Sequence, residues 1–245
     1  MGKRTTKVNY GIDAPSIVRN FLITGCFFII FAVSLLSFSN SVFITFCIGL
    51  FFIAAFICLA EGFLMIYSSK VGKYKQCAKL IDLLELKGDE KVLEIGPGRG
   101  LVLIAVAKRL TTGKAVGVDL WRTIDQSGNS PEVTLANAKA EGVSDKIELV
   151  TGDARHLPFE NDTFDALISC LALHNIPERE GRKKAVNEAL RVLKPGGKFA
   201  ILDFTKTKEY VEVLQESGAI EVKLSANQYL MFPPVRMVAG RKPGE

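Results

Sequence analysis

The sequence predicts an α/β fold: a doubly wound, mainly parallel sheet of seven strands, preceded by a two-helix membrane hairpin. Three observations carry this. From residue 91 onward, apolar strand-like runs alternate with helix-like segments, the pattern of consecutive βαβ units. The first such run, "VLEIG", breaks into glycines at alternate positions, Gly96, Gly98 and Gly100. And from Asn20 to Ala60 there is no charged residue.

The uncharged run comes first along the chain. It exceeds one bilayer span of about 20 residues and suits two. "SFSNS" at Ser37–Ser41 interrupts it with small polar residues, dividing an N-terminal region, 1–69, into spans at about 21–38 and 42–67 around a tight turn. Glu61 falls near the interfacial end of the second. A cleaved signal peptide fits poorly, since its apolar region runs only about 7–15 residues; a buried hairpin in a soluble protein is the other alternative. Residues 1–75 hold seven Lys or Arg (Lys3, Arg4, Lys7, Arg19, Lys70, Lys73, Lys75) against Asp13 and Glu61, while the rest of the chain holds 24 of each sign. Positive charge outside both spans and none at the turn predicts an integral membrane protein with its globular domain and both termini cytoplasmic. The same lysines suit anionic headgroups. A basic excess placed this way points away from nucleic acid. The five cysteines form no C-x-x-C or zinc spacing, so neither a disulfide framework nor a metal site is expected.

The domain 70–245 follows. "SSKVGKYKQ" (68–76) reads as a polar basic junction, and "CAKLIDLLEL" as a helix by the spacing of Leu80, Ile81, Leu83 and Leu84. Strands are predicted at 91–96, 114–120, 145–153, 163–173 and 198–204, and two successive antiparallel ones at the C-terminus. Helices are predicted at 101–110, 131–142 (Pro131 at its start, Gly142 at its end), 178–193 and 208–218. Ligands of such sheets bind at the carboxyl ends of the strands, which here are Gly96, Asp119, Asp153 and Leu173.

The glycine turn excludes two ligands. A dinucleotide fingerprint needs a third glycine for close helix packing, but Leu101 and Leu103 stand where the two possible frames require it. No G-K-[ST] follows for a P-loop. The form that remains, Glu94-Ile95-Gly96-Pro97-Gly98-Arg99-Gly100, suits a ligand without pyrophosphate, with backbone against an amino-acid-like chain and an acid facing a cation.

With these residues in place, the chain from about Lys70 onward resembles the class I S-adenosylmethionine-dependent methyltransferases, a Rossmann-like fold, most closely the branch acting on quinones and other small molecules. "VLEIGPGRG", "GVDLW", "VTGDARHLPFENDTFDALIS" and "EALRVLKPGGKFAILDF" are similar to that family's motifs, in order and with its spacing. The resemblance implies S-adenosyl-L-methionine as cofactor and S-adenosyl-L-homocysteine as product. It implies that Gly96, Pro97, Gly98 and Gly100 back the methionine part and that Glu94 holds its ammonium. Asp119 would accept the ribose hydroxyls, and Leu120 or Trp121 would cover the adenine. Asp153 would accept from the adenine amino group and the Ala154 N–H would serve a ring nitrogen. Cys170 joins the cofactor-binding candidates, and Tyr74 and Lys73 either line the pocket or anchor at the membrane surface. The acceptor is expected near the end of the fourth strand, where His174 and Asn175 are the candidate catalytic groups. The ordinary chemistry of a histidine side chain suits a base at neutral pH; the alternative for His174 is to pack over the ligand or cap the next helix. His156 belongs to the adenine-side turn. Asn129 and Asn137 are further pocket candidates. The hairpin suggests a lipophilic or lipid-like acceptor. A soluble acceptor, or a tethered cofactor-binding module without transfer, are the alternatives.

Overall fold

The computed structural model describes residues 8–38, 41–122 and 128–244. The basic residues Lys3, Arg4 and Lys7, and Ser39–Asn40 of the expected turn, lie outside the described residues.

Two helices open the chain. α1 spans Pro15–Leu35 and α2 Val42–Tyr67. α2 has the expected bounds, but α1 begins six residues earlier than expected, with Pro15 in its first turn, where the missing N–H costs nothing. Arg19 therefore lies in α1 near the end where its stem can reach back to water. The helices meet along Val18, Gly25 and Ala32 on one side and Ile48, Ala55 and Gly62 on the other, a seven-residue repeat in both. Glycine permits the close approach: a Cβ on Gly25 would fall 2.7 Å from Leu59 Cγ. Small residues at such a seam suit helix pairs in lipid. The outer faces carry Phe27, Ile30, Phe43 and Phe56, all exposed, and both helices are long and apolar enough to cross a membrane. Those outer faces are not covered by the rest of the described residues.

The polar basic junction is helical. Ser68–Gly72 forms a π-helical turn that runs without a break into α3, Lys73–Asp82. Gly72 is required there: a Cβ would sit 1.9 Å from the Leu230 carbonyl oxygen.

Seven strands form one sheet in the order β3-β2-β1-β4-β5-β7-β6. They are β1 Lys91–Ile95, β2 Lys114–Asp119, β3 Ile147–Thr151, β4 Phe164–Cys170, β5 Leu193–Asp203, β6 Ile220–Leu224 and β7 Arg236–Arg241. β7 runs antiparallel to both neighbours; the other pairs are parallel. α3, α4 (Leu101–Arg109) and α5 (Pro131–Ala140) pack one face through Leu80, Leu103 and Ala138; α6 (Arg179–Val192) and α7 (Thr207–Glu216) pack the other through Val186 and Tyr210. Strand order reverses between β1 and β4, which opens a crevice at their carboxyl ends. β4 stops at Cys170, not Leu173. Leu171 has φ 55°, and Leu173–Asn175 form a 3-10 turn, so the chain bends over the crevice instead of extending the sheet.

Candidate functional site

The crevice is built around the glycine turn. Gly96, Gly98 and Gly100 have φ of 74°, 54° and 85°, left-handed values that glycine adopts without strain. A Cβ on Gly96 would lie 2.3 Å from Ala172 Cβ, so glycine also lets the β4 exit close over the turn. α5 holds the turn from behind. Thr134 Oγ1 donates to the Gly98 carbonyl at 2.6 Å, and Asn137 Nδ2 to the Arg99 carbonyl at 3.0 Å. Asp119, at the end of β2, accepts the Gly98 N–H on Oδ2 (3.0 Å) and the Trp121 N–H on Oδ1 (2.7 Å).

Most of the expected residues meet in one cavity. Its walls include Glu94, Gly96, Pro97, Gly98, Asp119 and Leu120 from the first two strand ends. Asp153 and Ala154 join from the turn after β3, Cys170 from β4, and Asn175 from the 3-10 turn. Asn129 and Lys73 also reach it. Five candidates stand outside the wall. Gly100 lies one layer back, under Thr134 and Ile104. Trp121 turns away at φ 57° and donates its indole N–H to Thr151; Leu120 and Arg122 face the cavity in its stead. Tyr74 packs edge-on against Tyr10, 6.0 Å between centroids. His174 sits beside the wall. Its Nδ1 lies 2.9 Å from Asp203 Oδ1, off the line of a straight hydrogen bond, and its ring is 4.5 Å from that of Phe204. Asp203 is fully buried and also accepts from the His174 N–H and the Tyr210 hydroxyl. His156, as expected, belongs to the turn after β3, where its N–H closes onto the Asp153 carbonyl. Asn137 holds the turn from behind and does not line the cavity.

Electrostatically the cavity centres on Glu94, which is 2 % exposed. Burial raises its carboxyl well above the ordinary value; Cys170 and Asp119 push the same way, while Lys73 and the Leu103 N–H of α4 oppose. Its Oε2 has no hydrogen-bond partner. A buried acceptor without a partner is costly, and a cationic donor would satisfy it. Asp153 is different. Arg155 chelates its carboxylate through Nε and Nη2, holding it below the ordinary range. The Arg155 backbone N–H donates to Oδ1 of the same carboxylate at 2.9 Å.

The segment 8–14, ahead of α1, was not foreseen as part of the site. Tyr10 and Asp13 line the cavity. Asn9 exchanges two hydrogen bonds with the Asn137 side chain, both 3.2 Å, and the Asp13 N–H donates to Ser69 Oγ at 3.0 Å. Lys73 Nζ lies 2.8 Å from Asp13 Oδ1. Burial works against the Lys73 ammonium, but Asp13, with Cys170 and Cys77, outweighs it and leaves its pKa above the ordinary lysine value. The segment thus straps across the glycine turn, and only the lone Asp13 among uncharged neighbours hinted at it in the sequence.

Residues 93–201 match the family described as methyltransferase domain. Over 127 residues the chain is 32 % identical to the ubiquinone/menaquinone biosynthesis C-methyltransferase of Roseobacter denitrificans, covering 52 % of this chain and 47 % of the relative. Over 131 residues it is 34 % identical to the sterol 4-C-methyltransferase of Caenorhabditis elegans, covering 54 % and 36 %. The chain therefore spans less than half the length of either relative. The fold is shared with geranyl diphosphate C-methyltransferase from Streptomyces coelicolor, solved with Mg2+, geranyl diphosphate and S-adenosyl-L-homocysteine (TM-score 0.56, 13 % identity, 69 % of this chain and 79 % of that one).

Proposed function

From a globular region that carries a methyltransferase domain of the class I S-adenosylmethionine-dependent type, we infer a membrane-anchored enzyme that methylates a small lipophilic acceptor. The observation that carries the cofactor assignment is the buried, unpartnered Glu94 Oε2 beside a left-handed glycine turn and two strand-end carboxylates. These residues fit the cofactor group by group. Glu94 takes the ammonium, the Gly96–Gly98 backbone the methionine chain, Asp119 the ribose hydroxyls, and Asp153 with the Ala154 N–H the adenine. Bound there, S-adenosylmethionine supplies a methyl already activated on a sulfonium.

The protein's part is then alignment and exclusion of water. Ala172, Leu173 and Ile176 form the apolar end of the cavity, and Asn175 is its polar group there. Asn175 orients the acceptor. Where the acceptor must lose a proton, His174 is the base we propose, held by Asp203.

Placement supports a lipophilic acceptor. Asp13 lies two residues before α1, and Lys73 six after α2, so the cavity opens at the foot of the hairpin. With both spans inserted, the domain and both termini are cytoplasmic by the charge distribution. Both curated relatives are named as C-methyltransferases, one of ubiquinone/menaquinone biosynthesis and one of sterols. The test is to incubate the full chain with methyl-labelled cofactor and fractionated membrane or cytosolic extract. Label entering a lipid-extractable product supports the reading; label only in water-soluble products removes the lipophilic acceptor.

A further inference from the structure

The loop between β6 and β7, Ser225–Val235, belongs neither to the cavity nor to the sheet. Its sequence, "SANQYLMFPPV", has no charged residue, and it is bounded by Lys223 and Arg236. Tyr229 at its tip is 78 % exposed, while Met231 beneath it is buried in the core. The loop is fixed to the hairpin's exit. Phe232 N–H donates to Ser68 Oγ at 3.0 Å, and the Leu230 carbonyl rests on Gly72 so closely that no side chain fits between. Ser68 is the residue that follows α2.

This attachment sets the loop's depth. α2 has 26 residues, about 39 Å at 1.5 Å per residue, longer than the hydrocarbon core of about 30 Å. Its last turn and Ser68 therefore emerge at headgroup level. Exposed Tyr67 ends that helix and exposed Lys70 follows it. An uncharged aromatic tip at this level, flanked by lysine and arginine, has the chemistry of the interfacial belt.

We propose that Ser225–Val235 is a third membrane contact, with Tyr229 seated among lipid headgroups beside the end of α2. Lys223, Arg236 and Lys70 lie around it against anionic lipid. The loop would hold α3, and with it the cavity, at a fixed height above the bilayer. The proposal rests on the hairpin spanning the membrane and goes beyond it.

The test uses the single tryptophan of the chain, Trp121. Full-length Trp121→Phe/Tyr229→Trp is reconstituted in phosphatidylcholine/phosphatidylglycerol vesicles whose lipids carry bromine either near the headgroup or near the chain end. Trp121→Phe/Phe56→Trp, on an exposed face in the middle of α2, reports the span, and Trp121→Phe/Ile220→Trp, at the far end of β6, reports the solvent side. The expected result is Tyr229→Trp emission cut to about half by headgroup-proximal bromine and little changed by chain-end bromine, as for an interfacial aromatic. The chain-end probe should quench Phe56→Trp instead. Unquenched Tyr229→Trp beside quenched Phe56→Trp overturns the loop contact alone. Absence of quenching in both overturns the loop contact and the spanning hairpin together. If Trp121→Phe does not fold, the same comparison is read as the difference between Tyr229→Trp and the parent, both keeping Trp121.

Discussion

Replacing Glu94 with glutamine tests how the cofactor is recognised. Glutamine keeps the shape and one acceptor oxygen, replaces the other with an NH2 donor, and removes the charge. A hydrogen bond to a charged partner contributes about 1.5–3 kcal/mol, and Glu94 is too buried for water to screen it. The loss corresponds to a roughly 10- to 150-fold weaker Kd at about 1.4 kcal/mol per decade. The pH dependence adds an independent signature. Burial raises the Glu94 carboxyl well above its ordinary value, so without cofactor it holds its proton over part of the range where an ordinary glutamate is ionised. An ammonium binds the ionised form, so cofactor affinity should rise with pH toward the raised value, with release of one proton. The stability sign is opposite. A folded-state pKa above the unfolded one, about 4.3 for glutamate, gives stability present below that value and lost as pH rises through the folded value. The cofactor-free parent should therefore lose thermal stability relative to Glu94→Gln as pH rises across that window. Calorimetry in buffers of different ionisation enthalpy reads Kd and proton release together, and scanning calorimetry reads stability. Parent-like affinity in Glu94→Gln, or no proton release in the parent, would refute the assignment.

Three further outcomes follow from the same geometry. Asp119→Ala removes the proposed acceptor for the ribose hydroxyls and the partner of the Gly98 N–H; cofactor titration should show roughly 100-fold weaker binding, at about 3 kcal/mol for lost charged hydrogen bonds. Gly96→Ala places a side chain at φ 74° and 2.3 Å from Ala172; thermal unfolding should show a loss of about 2–4 kcal/mol from strain and overpacking, with cofactor binding abolished. Lys73→Met removes the cation that helps Glu94 ionise; the pH midpoint of cofactor binding should move upward, whereas an unchanged midpoint would leave Lys73 as a partner of Asp13 only.

The sheet, its order of elements and most of the cavity wall were legible because they depend on local signals. Alternating apolar runs mark the strands, and the glycines at 96, 98 and 100 mark a turn that only left-handed backbone can make. What was missed depends on contacts distant in sequence. The strap at residues 8–14 is held by Asn137 and Ser69, and no periodicity in "VNYGIDA" announces such partners. The junction 68–76 reads only as polar and basic, yet Gly72 is helical there, its bare surface filled by Leu230. Trp121 looks like an adenine cover by position, but the Asp119 carboxylate turns its backbone away. His174 and Asn175 are adjacent in sequence, and of these two the 3-10 turn after Leu171 gives Asn175 to the wall and turns His174 aside.

The most direct test of the central claim is a transfer assay on the full chain in membranes. The reagents are methyl-labelled S-adenosylmethionine and the lipid extract of the source membranes, with Asp119→Ala in parallel. The account predicts label in a lipid-extractable product, dependent on the enzyme and lost in Asp119→Ala. Tight, Asp119-dependent cofactor binding with no labelled product from any membrane or cytosolic fraction would contradict it.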